Sequence, residues 1–109
     1  MSASGFPADN FFFAGYLSKT DSEREAKLEK ARRSGTTCVL YESVHRIEWT
    51  LENINMVYGN FHEIFVAREL TKLHERHYRG TVLDIIQEME REKAEGHSML
   101  GELTIVIAP

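Results

Sequence analysis

From Arg68 to Thr81 the chain reads Arg-Glu-Leu-Thr-Lys-Leu-His-Glu-Arg-His-Tyr-Arg-Gly-Thr, its densest run of cationic and imidazole side chains. Arg68, Lys72, Arg76 and Arg79 stand against two carboxylates, Glu69 and Glu75, so the segment is locally positive on a chain whose net charge is −4. A positive stretch on an acidic domain marks a candidate anion site. The plain alternative is a solvated polar connection between two apolar elements, and charge by itself does not separate the two. A second group lies upstream, where Ser43 precedes His45 and Arg46 at the head of a helical pattern. Free backbone N–H groups and the positive end of the helix dipole favour an anion there. A surface ion pair would use the same residues.

Other chemistries fit less well. His74 and His77 have i, i+3 spacing but no third clustered ligand, which argues against zinc. Gly5, Gly15 and Gly35 stand alone, so neither common phosphate loop is present and a nucleoside triphosphate enzyme is disfavoured. Ser43 and His45 are two residues apart at a helix start, where they point in different directions, and no nucleophile-elbow motif surrounds Ser43.

The elements that would position these groups follow from periodicity. Phe11 to Leu17 has the composition of a buried strand, with Gly15 allowing close approach of another backbone. Ser22 with Glu25 is a capping-box pattern that opens a charged helix to Arg33, in which only Ala26, Leu28 and Ala31 are available to pack. Thr36 to Tyr41 reads as a buried strand closed by Glu42-Ser43. Val44, Ile47, Leu51, Ile54 and Tyr58 form one face of a helix with Ser43 as N-cap and Gly59-Asn60 as its end. His62 to Ala67 is a third strand, and His74 to Arg79 a possible short one. Thr81-Val-Leu-Asp84 opens a helix whose buried stripe is Val82, Ile85, Ile86 and Met89, and Leu103 to Ala108 is a central strand. This order predicts an α/β fold, a three-layer-like sandwich with a mixed sheet of about five strands flanked by helices. Ligands in such folds collect beyond the carboxyl ends of the strands, where Tyr41 to Arg46 and Arg68 to Lys72 would lie.

Composition sets outer bounds. The 109 residues suit one domain with one core. Residues 1 to 10 run straight into Phe11-Phe12-Phe13 with no globular region before them, as if the chain began in the middle of a protein. No apolar run approaches the roughly 20 residues that cross a bilayer, and the N-terminus lacks the order of a secretory signal, so the expected location is cytoplasmic with no membrane partner. Cys38 has no internal disulfide partner and reads as a small buried hydrophobe. The acidic balance disfavours a free-standing general nucleic-acid binder.

Tyr41-Glu42-Ser43-Val44-His45-Arg46, Ala67-Arg68-Glu69-Leu70-Thr71-Lys72-Leu73-His74-Glu75, Arg79-Gly80-Thr81 and Gly101-Glu102 occur in that order, preceded by Ser4-Gly5-Phe6-Pro7 and Phe13-Ala14-Gly15-Tyr16-Leu17. Together they resemble the C-terminal domain of the tetrapyrrole (corrin/porphyrin) methylase superfamily. More narrowly, they resemble the branch that 2′-O-methylates a cytidine ribose in small-subunit ribosomal RNA. Val44 stands where that family usually has proline, and His77-Tyr78 replaces a more apolar pair.

The resemblance implies a two-domain, S-adenosyl-L-methionine-dependent methyltransferase, usually a homodimer, with the cofactor between the domains. Residues 1–109 would then be one domain, the C-terminal half, with the N-terminal cofactor and catalytic half as the missing partner and ribosomal RNA as substrate. Weak or no cofactor binding is expected of this half alone, since an isolated wall of a cleft loses the contacts of the other. By the same resemblance Tyr41, Glu42, Ser43, Gly101 and Glu102 face the cofactor, and Arg46, Arg68, Lys72, His74 and Arg79 contact phosphate or RNA. Methylation of a tetrapyrrole, or a non-catalytic dimerisation or RNA-binding module, is the alternative.

Overall fold

The computed structural model describes residues 4–6, 10–69, 74–96 and 101–109. Its elements are β1 (Phe11–Tyr16), α1 (Asp21–Ser34), β2 (Thr37–Ser43), α2 (Ile47–Tyr58), β3 (Glu63–Glu69), β4 (Glu75–Thr81), α3 (Val82–Ala94) and β5 (Glu102–Ile107). The strands form one mixed sheet in the order β1-β2-β5-β3-β4. β1 and β2 run parallel, while β5 lies antiparallel to both of its neighbours, β2 and β3, and β3 and β4 make an antiparallel hairpin.

The mixed five-stranded sheet is the one expected, but its layering is simpler than a three-layer sandwich. Leu28 and Ala31 of α1, Ile47, Leu51 and Ile54 of α2, and Val82, Ile85 and Met89 of α3 all join one core cluster with Cys38, Leu40, Ile64, Val66, Ile105 and Ile107 of the sheet. The opposite face carries a small cluster, Val39, Phe65 and Val106, against which Phe6 and Ala67 pack. Strand order explains this. Each helix joins two parallel strands, and the third connection reverses both strand direction and direction of travel across the sheet. Right-handed crossovers therefore lay all three helices on one side.

Two helix starts differ from expectation. Thr20, not Ser22, caps α1, its hydroxyl accepting from the Glu23 N–H at 3.4 Å, and the αL glycine Gly35 closes the helix. The buried stripe is accordingly Arg24, Leu28 and Ala31, while Ala26 is exposed. β2 extends through Ser43, so Ser43 does not cap α2; the Arg46 N–H donates to the Ser43 carbonyl at 3.1 Å in a turn, and Arg46 is the N-cap with no side-chain hydrogen bond. His45 and Arg46 therefore sit in an exposed turn ahead of the helix rather than in its first turn.

Cys38 of β2 is buried on the helix-covered face of the sheet, and burial pushes its thiol up to about 12, which leaves it inert as a nucleophile. Among the described residues no helix is long and apolar enough to cross a membrane.

The start of α3 follows the sequence. Thr81 accepts from the Asp84 N–H and Asp84 from the Thr81 N–H, both at 3.1 Å, a reciprocal capping box. Thr81→Ala removes one half of it and is expected to cost about 1 kcal/mol, read as a fall of about 4 °C in a thermal unfolding scan. An unchanged midpoint would show that α3 is held by packing alone.

Candidate functional site

Side chains alternate between the faces of a strand. Tyr41 and Ser43 of β2 thus point to the helix-free face, and Glu42 between them points to the helices. Consecutive residues cannot share one wall, and the expected trio Tyr41, Glu42 and Ser43 is split for that reason. On the open face Tyr41 lies across from Tyr16 of β1 and Thr104 of β5, and Ser43 lies across from Glu102. The Tyr41 ring is 5.5 Å from Phe13, edge to face, and 5.7 Å from Tyr16. The Tyr16 hydroxyl donates to Glu102 Oε2 at 3.4 Å, and the Glu102 charge raises the pKa of that phenol. Gly101 is exposed immediately before β5. Tyr41, Ser43, Gly101 and Glu102 consequently gather at one end of one face, with an exposed aromatic ring and carboxylate beside a half-buried hydroxyl.

Glu42 has a different environment. It is 2% exposed and its carboxylate lies at the junction of three elements. Oε1 accepts from the Ser43 N–H at 2.9 Å; Oε2 accepts from the Thr50 hydroxyl of α2 at 2.7 Å and from Arg24 Nη2 of α1 at 3.4 Å. Arg24, which sequence reading left among the solvated charges, is fully buried and is the counter-ion of Glu42. Its signal was the i, i+4, i+7 spacing with Leu28 and Ala31.

The basic stretch is also divided by alternation. Arg68 points to the helix side, 6% exposed, 4.0 Å from Glu92 of α3 and over the Tyr78 ring. Arg76 donates to Glu88 at 2.5 Å and through the same nitrogen to Glu92 at 2.9 Å, and its guanidinium lies 4.5 Å over Tyr78. The Tyr78 hydroxyl donates to the other Glu92 oxygen at 2.7 Å. Arg68 and Arg76 therefore dock α3 onto the sheet, and an RNA contact by Arg68 does not fit its burial. Arg79 faces the open side, over the Phe65 ring at 5.0 Å and donating to the Ser4 carbonyl at 2.5 Å. His74 is exposed just before β4, at the sheet end that also holds the His45-Arg46 turn. Lys72 lies outside the described residues. Arg46, His74 and Arg79 are exposed.

Three comparisons place this geometry among known proteins. The profile of the Tetrapyrrole (Corrin/Porphyrin) Methylases matches residues 1–86. The sequence is 35% identical over 108 residues to a ribosomal RNA small subunit methyltransferase I of Thermotoga maritima, covering 99% of this chain and 46% of that protein. It is 38% identical over 104 residues to one of Helicobacter pylori, covering 90% of this chain and 36% of that one. The methyltransferase CobJ shares the fold, with a TM-score of 0.63 over 98% of this chain and 44% of its own, at 21% identity. The chain spans less than half the length of these curated relatives.

The docking role of the Arg68 and Arg76 cluster can be tested without substrate. Burial raises the Glu92 carboxyl, but the Tyr78 hydroxyl and the two guanidinium groups outweigh it, and its pKa is lowered overall. A depressed folded pKa means that this stabilisation is present above the ordinary carboxylate range and is lost as pH falls through the folded value. Glu92→Gln is expected to cost about 2 kcal/mol at neutral pH. It should also flatten the loss of stability as pH falls below about 5, measured by urea unfolding in acid. A pH dependence identical to that of the unmodified chain would remove Glu92 from this role.

Proposed function

The chain belongs to the tetrapyrrole (corrin/porphyrin) methylase family, and from that premise we propose that it is the C-terminal half of a two-domain S-adenosyl-L-methionine-dependent methyltransferase that 2′-O-methylates a cytidine ribose in small-subunit ribosomal RNA. The observation that carries the reading is identity to ribosomal RNA methyltransferases along almost the whole chain. The activity itself belongs to the longer protein.

Tyr41, Ser43, Gly101 and Glu102 supply one wall for the cofactor. The donor set fits such a ligand: an exposed aromatic ring offers a face to adenine, a carboxylate accepts from ribose hydroxyls, and an anion suits a cationic sulfonium. The cofactor, when bound, supplies an electrophilic methyl group. This chain's residues orient it from one side, and the other half closes the cleft and excludes water. Arg46, His74, Lys72 and Arg79 hold the RNA backbone, because ribose methylation requires the neighbouring phosphates to be fixed. Arg68 leaves that set for the structural role described above.

Phe11, Phe13 and Tyr16 are 43%, 56% and 63% exposed, which supports an assembly that covers this face, with the rest of the longer protein and a second subunit in a homodimer. A ribosomal RNA substrate supports a cytoplasmic location for the whole protein.

With the N-terminal half restored, the protein should transfer methyl groups to unmodified small ribosomal subunits. Arg46→Ala or Lys72→Ala should lower that activity about tenfold or more and weaken RNA binding with a shallower salt dependence. Melting of the Arg46 variant should hardly move, because an exposed cation contributes on the order of 1 kcal/mol or less. Full activity in both variants would remove these cations from the proposed RNA contact. The isolated chain should bind S-adenosyl-L-methionine weakly or not at all; calorimetry giving micromolar affinity would place the whole site within this half.

A further inference from the structure

We infer that Arg24 is a positioning residue for the cofactor wall, acting through Glu42; the inference rests on the reading of Tyr41, Ser43 and Glu102 as that wall. Every nitrogen of the Arg24 guanidinium has an acceptor. Nε donates to Asn53 Oδ1 at 2.6 Å, Nη1 to the Ser18 carbonyl at 3.0 Å, and Nη2 to Thr50 Oγ1 and to Glu42 Oε2. The Trp49 ring covers the group, its centroid 3.8 Å from Arg24 Cζ, and Trp49 Nε1 is itself anchored on Asp21 at 2.5 Å. Asn53 is fixed in turn by donating to Asp21 and Glu25 at 3.2 and 3.3 Å.

The direction of these bonds is forced. A guanidinium only donates, so the Thr50 oxygen accepts from it and must give its single proton to Glu42, whose carboxylate accepts from both and from the Ser43 N–H. One carboxylate is thereby held from α1, from α2 and from its own strand. Its covalent neighbours are Tyr41 and Ser43, the two β2 side chains of the proposed wall. Burying such a pair adds little stability, since well-packed apolar residues of similar volume serve as well or better. What the pair contributes is a fixed position for the end of β2. Ligand geometry is sensitive to that position, as displacements of about 1 Å in a site cost up to about a hundredfold.

The test uses the restored two-domain protein. Thr50→Val removes the relaying hydroxyl without touching the open face or changing charge. The double variant Arg24→Met, Glu42→Leu replaces the pair by apolar groups. The expected result is a double variant that melts near the unmodified protein, with both variants showing S-adenosyl-L-methionine affinity weakened about tenfold and KM for the cofactor raised while kcat stays within about twofold. Cofactor affinity unchanged in both variants, with only the melting temperature altered, would overturn the positioning role. Should the double variant not fold, Thr50→Val decides alone. An unmodified two-domain protein that fails to bind the cofactor would instead sink the underlying reading of the wall, and the inference with it.

Discussion

Strand β5 is the last of the described elements in chain order and the middle of the sheet. Among the described residues it alone bridges the β1-β2 pair and the β3-β4 hairpin, pairing antiparallel with β2 on one side and β3 on the other. Leu103, Ile105, Val106 and Ile107 are all buried, so the strand supplies apolar surface to both faces as well as two ladders of backbone bonds. Its pairings with β2 join residues far apart in the chain, and such contacts repay the entropy of loop closure only when they form together. The β1-β2 and β3-β4 units become one sheet only once β5 has entered, and the proposed site has the same requirement, because Glu102 stands across from Ser43 only in that register.

Alternation along strands then decides which chemistry goes where. The same rule that puts Tyr41 and Ser43 on the open face sends Glu42 inward, and on β3 and β4 it sends Arg68, Arg76 and Tyr78 to the helices while His77 and Arg79 face out. A run of cations that looks like one patch in sequence is two populations in space. The inward cations meet Glu88 and Glu92 on α3, and the inward carboxylate Glu42 meets Arg24 on α1. Each helix that carries charge toward the sheet finds its complement there, as buried charges require.

Much of this was legible in the sequence where local rules act alone. The α2 stripe Ile47, Leu51 and Ile54, the Thr81-Asp84 cap and the central character of Leu103 to Ile107 all follow from period and capping chemistry. What escaped depended on partners distant in the chain. Arg24 sits at a core position of α1, but a cation there reads as solvated until Glu42, Thr50 and Asn53 are known to converge on it. Ser43 has the chemistry of a cap, yet pairing with Glu102 keeps it in the strand. Periodicity also says which residues are buried without saying on which side of a sheet a helix will lie; only the strand order fixes that.

The two edges of the sheet are built differently. β4 presents Glu75, Arg76, His77 and Arg79 along its length, charges that discourage another strand from pairing with it. β1 presents Phe11, Phe13 and Tyr16, and its main irregularity is the shift of register between Phe13 and Gly15, which the positive φ of that glycine permits. A chain handled by itself therefore has one guarded edge and one able to template a β-strand from another molecule, with aromatic side chains to seal the contact. Its exposed apolar surface on that edge lies on Phe11, Phe13 and Tyr16, whatever the net negative charge of the chain. A lysine at Phe11 or Phe13 would blunt that edge, whereas further charge on β4 would change little.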